Sequence, residues 1–440
     1  MDNSKLSLSS LATALATSLS PSPTVTDLSS PPLTQLSQPG EPALRSGKAA
    51  PVLVLGAGLM GRLLAVVLAQ RGHAVKVVDA SGPDGNGAAA RVAAAMLAPL
   101  AESAVTEPSV VAMGQYALAR WPELLATLTQ PVFFQQEGTL ILWHRQDQPE
   151  ARRFAQQLAQ TTQALQGLPQ PQTLDAAGIH ALEPALEQRF HQGYYLPGEG
   201  QLDNRELLVA LGATLENLGV SVQWNTPMTL AQAKAEQAQR GGWVLDCRGL
   251  GAQGDTVRSE LGLQPLRGEG VGLQTLRGEG VGLQPLRGVR GEVVRLHAPD
   301  VRLTRPTRLL HPRYPIYIAP KPHGVYVVGA TEIETSDASP ASVRSVLELL
   351  SACYAVHPGF GEARILELNT QRRPTLPDNL PAVVEAAPQV LQINGLYRHG
   401  FLIAPALLDA VLQHMQGDAP ALAQGWGLSF HTLDTTGARA

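Results

Sequence analysis

Glycines at 56, 58 and 61 and an aspartate at 79 are the first residues whose types and spacing could do chemistry. The glycines read Gly56-x-Gly58-x-x-Gly61, and Asp79 follows Gly61 by 18 residues. Gly56 allows a tight turn, Gly58 lets backbone approach a pyrophosphate, and Gly61 lets a helix pack closely on a strand. A helix starting here offers free N–H groups and its positive dipole end to phosphates. Asp79 can accept hydrogen bonds from ribose hydroxyls. The chemistry is dinucleotide binding, with a purely structural glycine turn as the plainer alternative. The motif alone does not separate NAD from FAD.

A second set could hold a carboxylate. Arg372 and Arg373 are adjacent and precede Pro374. Arginine suits a carboxylate because its planar fork binds both oxygens at once. Adjacent residues in an extended segment face opposite ways, so one of the two is expected to reach a pocket. The residue before a proline favours extended geometry, which singles out Arg373. Taken alone, either arginine also fits a surface ion pair, Tyr317 a sheet face, and Met96 plain core packing. His311 has no partner at metal-ligand spacing, and no metal site is expected. The two cysteines, Cys247 and Cys353, are too few and too far apart for a disulfide framework or a zinc site, so a reducing, cytoplasmic setting is the simplest expectation.

The elements that must position these residues follow from periodicity. Residues 52–55 form an apolar strand, 62–70 an apolar helical pattern, and 74–78 a second strand that closes on Asp79. A Gly- and Ala-rich loop, 81–90, leads into the small-residue stretch 93–102, which composition alone also allows as a plain helix. Ala and Gly are used where something bulky lies against backbone. Helices are expected at 110–128, 151–168, 204–218, 342–357 and 401–415. Strands are expected at 132–143 (two, around Glu137-Gly138), 220–224, 243–247, 291–297, 316–320, 325–329, 365–369 and 391–393, with a strand-to-turn segment at 194–203. A return to the nucleotide domain follows 243–247, where Arg248-Gly249-Leu250-Gly251 makes a second Gly-rich crossing.

Two segments stand apart. Residues 1–49 are rich in Ser, Thr and Pro with few charges, which reads as a disordered tail; a cleaved targeting signal is the alternative. Residues 262–289 repeat with period ten, as GLQPLRGEGV, GLQTLRGEGV and GLQPLRGV. A surface loop lengthened by duplication is expected there rather than a β-solenoid. Of the 440 residues, 44% are hydrophobic and 16% charged, and the formal net charge is −4. That balance argues for a globular chain and gives no electrostatic case for nucleic acid or an anionic membrane. No apolar run reaches membrane-spanning length.

The glycine motif, the AAAMLAP stretch (93–99), TQRRPTLPDNLP (370–381) and GLYRHGFLIAP (395–405) together resemble the D-amino-acid-oxidase type of flavoprotein, and within it the glycine oxidases of thiamine biosynthesis. The resemblance spans about residues 52–414. It implies an α/β fold: a Rossmann-type FAD-binding domain with an inserted α+β substrate domain built on an antiparallel sheet. The FAD-binding parts would be 50–125, 197–261 and 370–440. The substrate parts would be 126–196 and 290–369, and the repeat insertion 262–289.

Carried over residue by residue, Gly56, Gly58, Gly61 and Asp79 would hold the ADP moiety of a non-covalent FAD. Asp79 stands where the family usually has Glu. Ala94, Ala95 and Met96 would line the isoalloxazine, and Val222 would meet the adenine side. His399, which stands where the family often has Asn, and Gly400, Phe401 and Leu402 would face the flavin pyrimidine. Tyr317 and Arg373 would bind the substrate carboxylate, and Arg398 would stand at the flavin edge. The implied reaction passes hydride from the amino-acid Cα to flavin N5, giving an imine and, with dioxygen, hydrogen peroxide. No side-chain base is then required. A small amino acid and dioxygen are the implied partners. A homo-oligomer and a hand-off to thiazole-forming enzymes stay open. The competing readings are a sarcosine oxidase, a D-amino-acid dehydrogenase, an NAD-dependent dehydrogenase, and a flavin-bearing interaction protein that uses the repeat.

Overall fold

A computed structural model describes residues 50–186, 189–253, 286–428 and 430–432. The tail 1–49 and the repeat copies up to residue 285 lie outside the described residues.

A seven-stranded sheet carries the glycine motif. Its order is Phe430–Thr432, Ala382–Ala387, Val390–Asn394, Trp243–Asp246, Val52–Leu55, Val75–Val78 and Ser221–Gln223. Neighbours run parallel except where Ala382–Ala387 meets Val390–Asn394. Parallel strands have both faces covered, so their sequences read as continuous apolar runs. Val52–Leu55 shows this: Val52 and Val54 enter one core, Leu53 and Leu55 the other.

The helix Leu59–Gln70 is buried from Leu59 to Leu68. It shares that core with helices Pro108–Ala126, Asn204–Asn217 and Gly400–Met415. Even its one charged residue is inside. Arg62 donates to the carbonyls of Ala57 (2.7 Å), Leu208 (2.7 Å) and Pro83 (2.9 Å), and its guanidinium lies 5.1 Å from the Trp224 ring centre. Those contacts supply what a buried charge needs.

An eight-stranded sheet forms the second layer. Its order is Arg364–Thr375, Arg287–His297, Val325–Gly329, Ile316–Lys321, Thr307–Leu309, Thr139–Leu142, Gln192–Leu196 and Gln172–Asp175. It is antiparallel except between Thr307–Leu309 and Thr139–Leu142. One face packs under helix Val343–Val356, which contributes Leu349, Ala352, Cys353 and Val356 to the core. The other face places Val293, Tyr317, Ala319 and Val327 against Ala94. A small sheet, Met96–Leu97, Gly200–Leu202 and Phe134–Gln135, stands beside it. Among the described residues, no helix is long and apolar enough to cross a membrane.

The structure departs from the sequence pattern in several places. The stretch 93–102 is not one helix: Ala95 takes φ 53°, Met96–Leu97 is a strand, and only Pro99–Glu102 is helical. The strand expected at 365–369 runs from Arg364 to Thr375 without leaving the eight-stranded sheet, past the boundary drawn at 369. Likewise Arg287–His297 begins inside the span assigned to the insertion. The helix Leu230–Arg240, capped reciprocally by Thr229 and Gln232, and the strands Thr307–Leu309 and Ala382–Ala387 have no counterpart in the sequence pattern. Their apolar periodicity is too short or too polar to stand out.

Gly61 sits where helix meets strand. A Cβ there would lie 1.8 Å from the Gly56 carbonyl oxygen, a backbone atom that cannot step aside. Overpacking of this kind costs about 1–3 kcal/mol or more. Gly61→Ala should therefore lower the melting temperature of the full chain by several degrees; an unchanged melting curve would show that the turn relaxes freely.

Candidate active site

A cavity of about 1290 Å³ runs from the glycine motif to the face of the eight-stranded sheet. At one end it is lined by Gly56, Gly58, Asp79 and Met228, along its length by residues 92–96, and at the other end by Tyr317, Arg373 and Arg398.

Backbone makes the first end. Gly56 has φ 88°, and a Cβ on it would come within 2.8 Å of Arg248 Cα and the Cys247 carbonyl. Gly58 is the N-cap of helix Leu59–Gln70, with no capping side chain and no acid in the first turn, so the helix N-terminus faces the cavity with donors to spare. The Asp79 carboxylate is oriented by the backbone N–H groups of Ala57 and Ser81. Two expected cofactor residues lie elsewhere. Gly61 is behind the wall, acting through packing. Val222 does not line the cavity: it pairs with Val77 inside the sheet, and residues 226–229, including Met228, form the wall in its place. The next turn after the strand, not the strand itself, reaches the cavity. Cys247 also lines it, and burial pushes its thiol well above the ordinary range.

Ala94, Ala95 and Met96 line the middle, the two alanines being buried. The Ala94 carbonyl accepts from Lys321 Nζ (2.9 Å), and the Ala95 carbonyl from Leu202 N (3.1 Å).

At the far end two glycines in neighbouring strands make room for the side chains of interest. Gly329 faces Tyr317, and a Cβ on it would meet the Tyr317 hydroxyl at 2.7 Å. A Cβ on Gly291 would meet Arg373 Nη2 at 2.3 Å. Glycine inside a strand marks such close approaches, so this signal was present in the sequence. Arg373 donates to the carbonyls of Arg290 (3.3 Å) and Thr331 (3.1 Å), and among the described residues no carboxylate is a hydrogen-bond partner of it. Arg372 points from the other face of the strand toward the Ser336 carbonyl (3.4 Å), yet it too lines the cavity. The expectation that only one of the pair reaches it is therefore corrected: the cavity wraps around the edge strand.

Arg398 is neutralised from two sides, by Glu102 (3.0 Å) and Glu332 (2.6 Å). Glu332 also accepts from the Tyr397 hydroxyl. Glu102 reaches Arg308 as well (3.7 Å). Glu102, Arg308, Glu332 and Tyr397 all line the cavity and have no assignment from sequence; separate loops and strands bring Glu102, Arg308 and Glu332 to Arg398 and its neighbour Tyr397. Burial would raise the Glu102 carboxyl, but Arg398, Arg308, His399 and Arg373 outweigh it and hold it at about 2. Burial pushes His399 down to about 4, against the pull of Glu102, so its ring is neutral at pH 7. His399 is the N-cap of Gly400–Met415 and makes no side-chain cap, leaving this second helix N-terminus also facing the cavity beside Gly400, Phe401 and Leu402.

A family model described as FAD dependent oxidoreductase matches residues 51–410, and the chain belongs to that family. A Rhizobium etli protein carrying the name thiamine biosynthesis oxidoreductase ThiO is 35% identical over 365 residues, which are 83% of this chain and 96% of that protein. The bifunctional protein ThiO/ThiG of a Nostoc species is 26% identical over 83% of this chain, which spans 53% of its length. Among solved structures, glycine oxidase from Bacillus cereus superposes with a TM-score of 0.68 at 20% identity, over 86% of this chain and 98% of that one. The cofactor is FAD, and the cavity suits it. Side-chain-free backbone and two helix N-termini without side-chain caps face a volume that extends from Asp79 to the small-residue loop of Ala94 and Ala95.

Glu102 gives this site a measurable signature. Its folded pKa is depressed, so its contribution to stability is full above about pH 4.5 and is lost as pH falls through about 2. A depression of that size corresponds to about 3 kcal/mol. Denaturant melts between pH 5 and 2 should show Glu102→Gln losing stability less steeply with acid than the wild type; parallel curves would mean that Glu102 is not held by the arginines.

Proposed function

We propose that the chain oxidises glycine and small amines or D-amino acids. The observation that carries this is Arg373, a cavity guanidinium to which no carboxylate among the described residues is bound, beside the Tyr317 hydroxyl. A buried cation without a counter-ion favours a ligand that brings one, and the fork binds a carboxylate through two parallel hydrogen bonds. Arg398 and Arg308 are already paired, so the substrate carboxylate goes to Arg373.

With the carboxylate anchored there, Cα lies toward the loop that carries Ala94, Ala95 and Met96. FAD held along the glycine motif and the loop of Ala94, Ala95 and Met96 would supply a hydride acceptor for that carbon, so that the amino acid would become an imine, which water would convert to 2-oxo acid and ammonia, with dioxygen as the final acceptor giving hydrogen peroxide. The residues orient and exclude water; none acts as a base. His399 is buried and neutral, and Glu102 and Glu332 are committed to Arg398. The names of the relatives support placing the imine in thiazole formation, with hand-off to a thiazole-forming partner. The Nostoc relative's name joins two activities in one chain. A sarcosine oxidase or D-amino-acid dehydrogenase of the same fold is separated by peroxide release across a panel of amino acids.

The FAD is non-covalent on this reading. Burial raises both Cys247 and Cys353 thiols, which removes the thiolate that a tether needs. Acid precipitation should release all the yellow colour into the supernatant, and colour in the pellet would refute this.

Removing one partner of a desolvated charge pair costs about 2–5 kcal/mol. Arg373→Ala should thus lower kcat/KM by about 30-fold to several thousand-fold while keeping the flavin spectrum. Arg373→Lys should recover only part, because an ammonium lacks the fork. Arg372→Ala, on the opposite face, should stay within a few-fold of wild type. A crippled Arg372→Ala beside an active Arg373→Ala would overturn the assignment of the anchor.

A further inference from the structure

Lys321 is buried, 6% exposed, and takes no part in the chemistry described above. Its Nζ donates to the Leu202 carbonyl (2.7 Å), the Ala94 carbonyl (2.9 Å) and Gln201 Oε1 (3.1 Å). All three partners are acceptors. A neutral amine has two protons and a lone pair, so it would set that lone pair against one of these oxygens; an ammonium has three protons and satisfies them all. The three acceptors belong to different pieces. Ala94 is in the loop that lines the FAD cavity, Gln201 and Leu202 are in the small sheet, and Lys321 ends a strand of the large sheet. The ammonium therefore ties both sheets to the loop at Ala94, one residue before the left-handed Ala95, whose own carbonyl accepts from Leu202 N.

We propose that Lys321 is a positioning residue for the cofactor: its ammonium holds the loop 93–96 in the shape that packs against FAD. It does not line the cavity, so it acts through the Ala94 carbonyl. The tie is conditional on the proton. Burial pushes the amine down to about 7, opposed by Asp203 and Glu206 at the start of helix Asn204–Asn217 and reinforced by Arg295 of strand Arg287–His297. FAD should then dissociate more readily as pH rises through this range. A second group nearby titrates there too. Glu199, whose Oε1 accepts from Leu100 N (2.7 Å) and Ala101 N (2.9 Å), is raised by burial to about 7. The test must separate the two.

The full-length holoenzyme is diluted at pH values from 6 to 8.5, and FAD release is followed by recovery of free-flavin fluorescence. Wild type should bind FAD several-fold more weakly at the upper pH. Lys321→Met should bind about ten-fold or more weakly at pH 6, the loss expected for a hydrogen bond to a charged group, and should show no pH slope. Lys321→Arg should recover part of the affinity, also without a slope, because guanidinium keeps its charge. Wild-type affinity in Lys321→Met overturns the proposal. So does a flat wild-type profile, or a slope that survives in Lys321→Met, which would belong to Glu199. Should Lys321→Met fail to fold, Gln201→Met decides. Loss of one acceptor weakens the hold on the ammonium, so the midpoint of the wild-type profile should move to lower pH, and an unmoved midpoint overturns the proposal. A wild type that binds no FAD at any pH would contradict the family assignment instead.

Discussion

Backbone, not side chain, forms the tightest walls of this cavity, and the rest of the structure depends on that close approach. At the nucleotide end a Cβ on Gly56 would strike Arg248 Cα at 2.8 Å. A helix N-terminus can bind phosphate only if the phosphate can touch its N–H groups, and that requires a turn with no side chain in the way. The fully buried helix behind the turn follows from the same constraint. A helix packed this close to the sheet cannot turn a polar stripe toward it, so Leu59 to Leu68 are buried and Arg62 must spend its donors on three carbonyls. At the far end the same device is used within a sheet, where Gly291 and Gly329 let Arg373 and Tyr317 lie flat on neighbouring strands.

The charges at that end are then set by what can be paired. Arg308, Arg373 and Arg398 face Glu102 and Glu332. The two carboxylates lie against Arg398, and Glu102 leans also on Arg308, so the excess positive charge falls on Arg373. Burying a charge without a partner is costly, and the cost is relieved when a ligand supplies the partner. The selectivity of the proposed site for a carboxylate arises in this way from where the protein withholds its own acids.

Much of the nucleotide end was legible in the sequence because it is local. Strand, turn, helix, strand and acid follow one another between residues 52 and 79, and each signal is read within one or two turns of chain. The extended geometry of Arg373 was legible for the same reason, through Pro374. What could not be read depends on contacts across the fold. Glu102 and Glu332 meet Arg398 from separate segments. Thr307–Leu309 is three residues long, with a pattern that only its neighbouring strands complete. Val222 is one turn too early because a strand end and the loop after it cannot be told apart by composition. The stretch 93–102 is ambiguous in composition, and tertiary ties settle it: the Lys321 bond to Ala94 holds the part before Met96 open, and the Glu199 bonds to Leu100 and Ala101 cap the short helix that starts at Pro99.

The committed state of the acids also bears on the proposed chemistry. Hydride leaves Cα readily only when the amine is neutral, since an ammonium has no lone pair to form the imine. Glu102 is held near 2 chiefly by Arg398, Arg308 and Arg373, Glu332 is bound by Arg398 and Tyr397, and His399 is pushed to about 4. Neither Glu102 nor His399 is poised near neutral pH to take a proton. The surrounding positive charge, however, disfavours a second positive charge beside Arg373. On the proposed chemistry the site would select the neutral amine by electrostatics, and the proton would go to solvent rather than to a side chain. The commitment of the acids to Arg398 and the Arg373 guanidinium left for a ligand are, on this reading, two results of one charge arrangement.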